Sequence, residues 1–523
     1  MDMMVHATSA VGIDVVEMTL DEAARGLADG RFTSEALTKA HLDRIAAYEP
    51  CYNAFTFMNP DALSEARAID KRRSAGDPLG LFAGVPVVIK EAMDFAGLPS
   101  TAGWAGLSSA AGGIDLVPER DAPVVARLKE AGAIILGKTN IPAFSHDGAR
   151  ANTSWKGPTY NAVDRAIAPG ASSSGTATAI AASFALVGLA EETGGSIQNP
   201  AAAQSLVSVK PTFALVPNTG VAPLAGSTRD VVGPHARTVR DAALLLDIIA
   251  GYTIEDPKTV AAIGHVPEEG YTSLLAEDAL AGRRLGLYGT GWREAPLSEE
   301  AAALYAAAIA EIKTLGAVLV DDPFKETAFA DLAMKNVEFD SRGMESIVYD
   351  FDNFLKRLGP SAAATSFRQL ASMLMIDPFA EETLLGAHGQ TPLIAQSLKA
   401  PETPPDMRAF AKLRESYLTI FNRVLDENAL DALVFPQSSH PLPGVFDEAT
   451  FPATTVSEIN IAGLPGVTVP AGRYANGAPF SLIFVGRMWT EASLLAFAYA
   501  YEQATRHRII PDLEHTAVIQ SRT

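Results

Sequence analysis

The chain has 523 residues, 48% of them hydrophobic, a formal charge of −20 and one cysteine, Cys51. This length and apolar content allow a substantial core, and length alone would suggest two or three domains; the acidic balance argues against nucleic acid or an anionic membrane as a partner, since both need a basic surface. A lone cysteine excludes an intrachain disulfide, and with no basic-then-apolar start in Met1-Asp-Met-Met-Val-His6 and no run of about eighteen unbroken apolar residues, a soluble cytoplasmic protein is expected.

Thr19-Leu-Asp-Glu22 is a capping box that opens a first helix. Thr33-Ser-Glu35 opens a second, with Leu37, Leu42 and Ile45 on its apolar side. Together they predict an N-terminal helical arm within residues 1–75. Residues 76–255 alternate strand and helix patterns. Gly84-Val-Pro-Val-Val-Ile-Lys90-Glu91 ends an apolar strand pattern on a lysine, and a helix from about Ala122 to Ala131, stopped by Gly132, precedes a strand over Ala133–Leu136. Ser145 and His146 follow Gly137-Lys-Thr-Asn-Ile-Pro-Ala-Phe144.

The stretch 169–200 carries the most information. Pro169-Gly-Ala-Ser-Ser-Ser-Gly-Thr176 and Glu191-Glu-Thr-Gly-Gly-Ser-Ile-Gln-Asn-Pro200 are two serine-bearing glycine turns flanking one small-residue apolar segment. Ala177–Leu189 is rich in Ala, which favours a buried helix of roughly 20 Å at ~1.5 Å per residue. A short return strand through Leu189–Ala190 then brings the second turn beside the first, so that Ser172 and Ser196 can meet.

Beyond 255, Pro257 and Gly264–Gly270 mark a looser passage before the strand Arg284–Leu287, the Ala-rich helix Ser298–Leu315 and the strand Val318–Val320 restart the alternation. Residues 325–425 concentrate aromatic and Met residues (Phe329, Met334, Phe339, Tyr349, Phe351, Phe354, Met373, Met375 and Phe379) and end near the proline-rich Pro401-Glu-Thr-Pro-Pro405. This segment reads as a mostly helical insertion over an active-site mouth, against the plainer alternative of ordinary helix packing.

Taken singly, Gly170–Gly175 is a loop and Lys90 a strand-end charge reaching solvent. Taken together, in this order and spacing, they point to catalysis. A serine hydroxyl needs a base within hydrogen-bond reach to become a nucleophile. A lysine is that base only when uncharged, which calls for desolvation or a neighbouring positive potential; Val87, Val88 and Ile89 offer an apolar wall. Ser172, placed between Lys90 and the nucleophile Ser196, can pass a proton both ways. Thr193-Gly194-Gly195-Ser196 presents consecutive backbone N–H groups with no Cβ at the two glycines, an oxyanion hole.

Most other schemes lack their residues, while a serine–histidine triad, with His146 as the histidine to watch, stays open. Gly170-x4-Gly175-Thr176 looks like a phosphate loop without its lysine, and Gly289-Thr-Gly291 starts a dinucleotide turn whose third glycine is replaced by Glu294. There is no G-x-S-x-G elbow, no H-E-x-x-H pair and no helix-spaced histidine pair for a metal.

These residues resemble the amidase signature family, whose hallmark is G-G-S-S-G-G-S, then T-D-T-G-G-S-I-R-x-P and G-x-K-P-T, with G-V-P-x-x-x-K-D earlier. Leu128–Asn140, Ser208-Val-Lys-Pro-Thr212, Asn460–Pro470 and Tyr501-Glu-Gln-Ala-Thr505 also fall in family order, so the likeness covers roughly residues 17–255 and 425–512. The resemblance implies catalytic Lys90, Ser172 on a cis peptide and nucleophilic Ser196. It also implies an acyl pocket lined near Ser145 and His146, and supporting roles for Ser173, Glu192 and Gln198. It implies one elaborated α/β unit over residues 1–523, with a mixed sheet of about eleven strands wrapped by helices. Where the family reads T-D-T-G-G-S-I-R, this chain has Glu191-Glu192-Thr193-Gly194-Gly195-Ser196-Ile197-Gln198. A cation is missing, and Glu192 must find another donor or a proton, Gln198 being one candidate. Ala171, Ser174 and Thr176 are milder replacements in the first turn.

The expected activity is hydrolysis of a carboxylic amide through a Ser–Ser–Lys relay and an acyl-enzyme, with no metal and no organic cofactor. The apolar residues of 325–425, with Trp104 and Trp155, suggest a bulky or aromatic small-molecule substrate, and the reading allows a homodimer. Esters, hydrazides and carbamates share the same chemistry. The competing classes are a non-catalytic binding relative and an ammonia-supplying amidotransferase subunit.

Overall fold

A computed structural model describes residues 12–334 and 340–514; Met1–His6 and Phe339, both singled out in the sequence, lie outside the described residues. One mixed sheet organises the chain. Its strands are β1 (Phe55–Met58), β2 (Pro86–Lys90), β3 (Ile134–Thr139), β4 (Val187–Glu192), β5 (Val207–Lys210), β6 (Val231–Ala236), β7 (Arg284–Leu287), β8 (Val318–Val320), β9 (Ala432–Pro436), β10 (Gly466–Arg473) and β11 (Pro479–Val485). They lie in the order β1-β3-β2-β4-β6-β5-β10-β11-β9-β7-β8. β3, β2 and β4 are parallel, as are β9, β7 and β8, and the remaining pairs are antiparallel. This is the eleven-strand α/β sheet that the resemblance implied.

The centre of the sheet is apolar on both faces. Val87, Ile89, Val187 and Leu189 join one core cluster, while Val88 joins another with Ala177, Ile180 and Ala181. By strand alternation Lys90 follows Val88 onto the face covered by the helix Ser174–Ala181. The capping box forms as written, Glu22 N–H donating to Thr19 Oγ1 at 3.2 Å and Thr19 N–H to Glu22 Oε2 at 2.8 Å. The two N-terminal helices, Leu20–Ala28 and Ser34–Tyr52, pack Leu20, Ala23, Leu27 and Leu37 into the same cluster as β2 and β4.

One element is shorter than its composition suggests. The expected helix over Ala177–Leu189 stops at Ala181, Ser183 turns the chain with φ +57°, and β4 starts at Val187. The vacant place between β2 and β6 outweighs the helical preference of alanine, since pairing there satisfies the backbone of a six-residue strand on both edges.

The segment 325–425 holds the helices Ile347–Arg357, Phe367–Met373, Pro392–Lys399 and Arg408–Glu427. Its aromatics divide. Phe351, Phe354 and Phe379 form a cluster with Phe144 and Leu107 of the catalytic half, whereas Phe329 packs on Trp292 and Tyr417. Met373 and Met375 are exposed, Met375 at 95%, and neither lines the two cavities described below. No helix among the described residues is long and apolar enough to cross a membrane.

Candidate active site

β2 and β4 are parallel neighbours, Val87 pairing with Val187 and Ile89 with Leu189, so Lys90 and Glu191 emerge together at their carboxyl ends. That edge of a parallel sheet is where side chains from several strands converge on a ligand. Lys90 is fully buried, and its Nζ donates to Ser172 Oγ at 2.7 Å, to the Glu191 carbonyl at 3.0 Å and to Glu191 Oε2 at 2.6 Å. The Ala171–Ser172 peptide is cis. Sequence reasoning sought a desolvated lysine; the structure adds a carboxylate beside it.

Both glycine turns are fastened to each other. Ser173 N–H donates to the Ser196 carbonyl at 3.3 Å, and Ser173 Oγ donates to the Glu191 carbonyl at 3.1 Å. Gly170 has φ +72°, and a Cβ there would lie 2.4 Å from Pro200 Cα, so only glycine lets the first turn approach the second this closely. Gly195 has φ +86°, and a Cβ would meet Asn199 Nδ2 at 2.5 Å.

Glu192 has found its donors. Its carboxylate accepts from Ile197 N–H and Gln198 Nε2, each at 2.7 Å, from Gln198 N–H at 3.2 Å, and from Asn460 Nδ2 at 2.7 Å. Gln198 is held in turn, its Oε1 accepting from Gln437 Nε2 at 3.0 Å. A buried cation reaches the turn from another segment, though not Glu192 itself: Arg229 donates Nε to the Thr193 carbonyl at 3.0 Å and Nη1 to the Asp340 carbonyl at 2.7 Å. Thr193 Oγ1 lies 2.6 Å from Asp230 Oδ1 and 3.3 Å from Glu191 Oε1. Burial first, then the charge of Glu191, pushes the Asp230 carboxyl up to about 7.

Ser196, Thr193 and Gly194 open onto a cavity of about 590 Å³, with Ser145, His146 and Asn199 on its wall. Its floor mixes charges, and Arg150 and Arg293 there already bond to the Ala449 carbonyl and the Glu458 carboxylate. His146 is half-buried, its Nε2 2.9 Å from that of His388, which ties the catalytic half to the 325–425 segment. A second, apolar cavity of about 230 Å³ is lined by Trp104, Phe144, Phe351, Leu370 and Phe379 among others, Phe144 being the chain neighbour of Ser145. Trp155 lines neither; it packs on Phe57 and donates Nε1–H to Thr101 Oγ1 at 2.9 Å. Among the described residues no group of three His, Cys, Asp or Glu side chains converges as metal ligands would.

Sequence reasoning missed Glu191 as the partner of Lys90, and Arg229, Asp230 and Asn460 as members of the site. Arg229-Asp230 stands at the mouth of an apolar strand, β6, the same signal that singled out Lys90 at the end of β2.

The sequence profile of the family described as Amidase matches residues 36–495. The solved native peptide amidase of Stenotrophomonas maltophilia is 31% identical and superposes with a TM-score of 0.75, the match covering 95% of this chain and 99% of that one. The Arabidopsis thaliana protein named "Probable amidase" is 30% identical over 517 residues, 95% of this chain and 92% of its own length. A glutamyl-tRNA(Gln) amidotransferase subunit of Thermosynechococcus vestitus is 32% identical over 503 residues, 93% of this chain and 98% of its own. With a profile match spanning most of its length and a fold shared end to end with a solved peptide amidase, the chain belongs to the amidase family of amide C–N hydrolases.

Proposed function

We propose that the chain hydrolyses a small-molecule carboxylic amide through an acyl-enzyme on Ser196, with Ser172 and Lys90 as the proton relay. The observation that carries this reading is the 2.7 Å contact between Lys90 Nζ and Ser172 Oγ, the latter in the turn whose Ser173 N–H bonds to the carbonyl of Ser196, which opens onto the cavity. With Lys90 uncharged, Ser172 gives its proton to Nζ as it takes the proton of Ser196 Oγ, which bonds to the carbonyl carbon. The oxygen becomes an oxyanion facing the backbone N–H groups of the Thr193–Ser196 turn. Collapse breaks the C–N bond, and the proton on Nζ returns through Ser172 to the departing amine. Water then repeats the cycle in reverse roles, releasing the acid.

The apolar cavity behind Phe144 supports a bulky or aromatic group on the substrate. Reaction with a serine-directed fluorophosphonate tests the core of the proposal: labelling and amide turnover are both expected to fall about a thousandfold or more in Ser196→Ala, and retained labelling would remove Ser196 from the scheme. A panel of aryl and alkyl amides, esters, hydrazides and carbamates then ranks the scissile bond.

A second reading, in which the chain supplies ammonia within an amidotransferase, is favoured by the likeness to the Thermosynechococcus vestitus protein. The formal charge of −20 weighs against a role on transfer RNA. Full amidase activity in a size-exclusion peak of this chain alone would dismiss it.

A further inference from the structure

The relay needs Lys90 as an uncharged amine, yet the atom nearest its nitrogen is a carboxylate oxygen, Glu191 Oε2 at 2.6 Å, and both side chains are withdrawn from solvent at 0% and 2% exposure. The other two neighbours, Ser172 Oγ and the Glu191 carbonyl, also accept from it. Three acceptors around one nitrogen match the three N–H bonds of an ammonium. An opposite charge at this range, away from water, favours that form strongly.

We propose that Glu191 is a positioning residue that acts through Lys90, holding the resting lysine as an ammonium so that this chain hydrolyses amides on the alkaline side of neutrality. The inference rests on the relay proposed above. Turning the enzyme on transfers one proton from Nζ to water or hydroxide; Glu191 keeps its charge, and the freed lone pair receives the proton of Ser172 when Ser196 attacks.

The other ionisable groups around the pair leave that attraction in place. From β6, His235 is held neutral by burial, its imidazole pushed down to about 4, with the charge of Lys90 adding to the effect, and its Nε2 meets the Ile197 carbonyl at 2.8 Å. Asp230 reaches Glu191 through Thr193 and, with its carboxyl raised to about 7, adds negative charge only as pH rises. On β4, Glu192 is saturated by its four donors, and beyond β2, Glu91 accepts from Thr101 N–H at 2.5 Å. The guanidinium of Arg229 is engaged by the Thr193, Asp340 and Arg342 carbonyls.

Without Glu191, Lys90 would be a buried cation with no counter-ion, which favours the neutral amine. Changing Lys90 would instead strand a buried carboxylate, so Glu191 is the side to alter. The experiment measures kcat/KM for an aryl amide, and the rate of fluorophosphonate labelling, from about pH 5.5 to about 10.5 in wild type, Glu191→Gln and Glu191→Thr. In both variants the rising limb is expected to move to lower pH by about one to three units, with the rate near pH 7 up about tenfold or more. Circular dichroism identifies folded variants, and because Gln keeps the volume and Thr does not, misfolding of one leaves the other to decide. A rising limb superimposable on that of wild type, or a uniform loss without a shift, overturns the proposal. Activity retained in Ser196→Ala would mean that the relay itself has failed; an inactive Ser196→Ala with an unmoved limb in the Glu191 variants means that only the role of Glu191 has failed.

Discussion

Asp230 is the buried acid on which the turn that carries Ser196 leans. Its Oδ2 accepts from the N–H groups of Leu224 at 3.0 Å and Ala225 at 2.9 Å, while its Oδ1 meets Thr193 Oγ1. An acid that keeps its proton to about 7 when folded, against about 3.9 when unfolded, binds more protons folded than unfolded between those values. Its contribution to stability is therefore fully present below about pH 4 and is lost as pH rises through 7. Asn mimics the protonated acid and does not titrate. Thermal unfolding should show Asp230→Asn gaining on wild type as pH goes from about 5 to about 8, and a difference between the two that stays constant over that interval would mean that Asp230 is ionised throughout. This residue also marks where sequence reading stops. Lys90, Ser172 and Ser196 stand in punctuated places, a strand end and two glycine turns. Glu191 lies within β4 and Asp230 at the mouth of β6, where each alone is a strand-end charge, and their meeting is created by the pairing of β4 with β6.

At the scale of elements, the two serine turns work because backbone touches backbone. Gly170→Ala would place a Cβ 2.4 Å from Pro200 Cα in a residue already at φ +72°. Strain of that kind costs about 1–3 kcal/mol, and displacing Pro200 shifts the Ser196 turn, where about 1 Å of misplacement can cost on the order of a hundredfold in rate. Gly112 is the control: φ is +86° but nothing lies within 4 Å of its Cβ position, so Gly112→Ala pays the strain alone. Both variants should lose thermal stability, and only Gly170→Ala should lose more than about tenfold in kcat. Wild-type kcat in Gly170→Ala would show that the contact between the turns has no bearing on the reaction. The caps at Thr19, Thr33 and Ser298 and the strands Arg284–Leu287 and Val318–Val320 were legible because their signals are local. The helix after Ser173 was not, since its end is set by a strand slot that only the folded sheet defines.

Over the whole molecule, the strand order places β10 and β11 between β5 and β9, which carries Asn460 to Glu192 and Gln437 to Gln198 from the far end of the chain. No periodicity encodes that, because it depends on which edges remain open once the first six strands have paired. The same closure joins the 325–425 segment to the catalytic half around the apolar cavity. Phe144 lines this cavity while the next two residues, Ser145 and His146, line the one onto which Ser196 opens, so a substrate group passing that corner would meet apolar walls. Leu370, buried on the helix Phe367–Met373, belongs to the wall contributed by 325–425 and lies outside the relay. Leu370→Phe adds bulk toward existing empty space and so avoids much of the about 1–3 kcal/mol that overpacking a filled core costs. It should raise KM for a bulky aryl amide by about tenfold or more, the discrimination that a few carbon atoms in an apolar pocket supply, and leave KM for a short alkyl amide and thermal stability nearly unchanged. Equal effects on both amides, or on neither, would assign the cavity to packing and return the choice of substrate to the walls around Ser196.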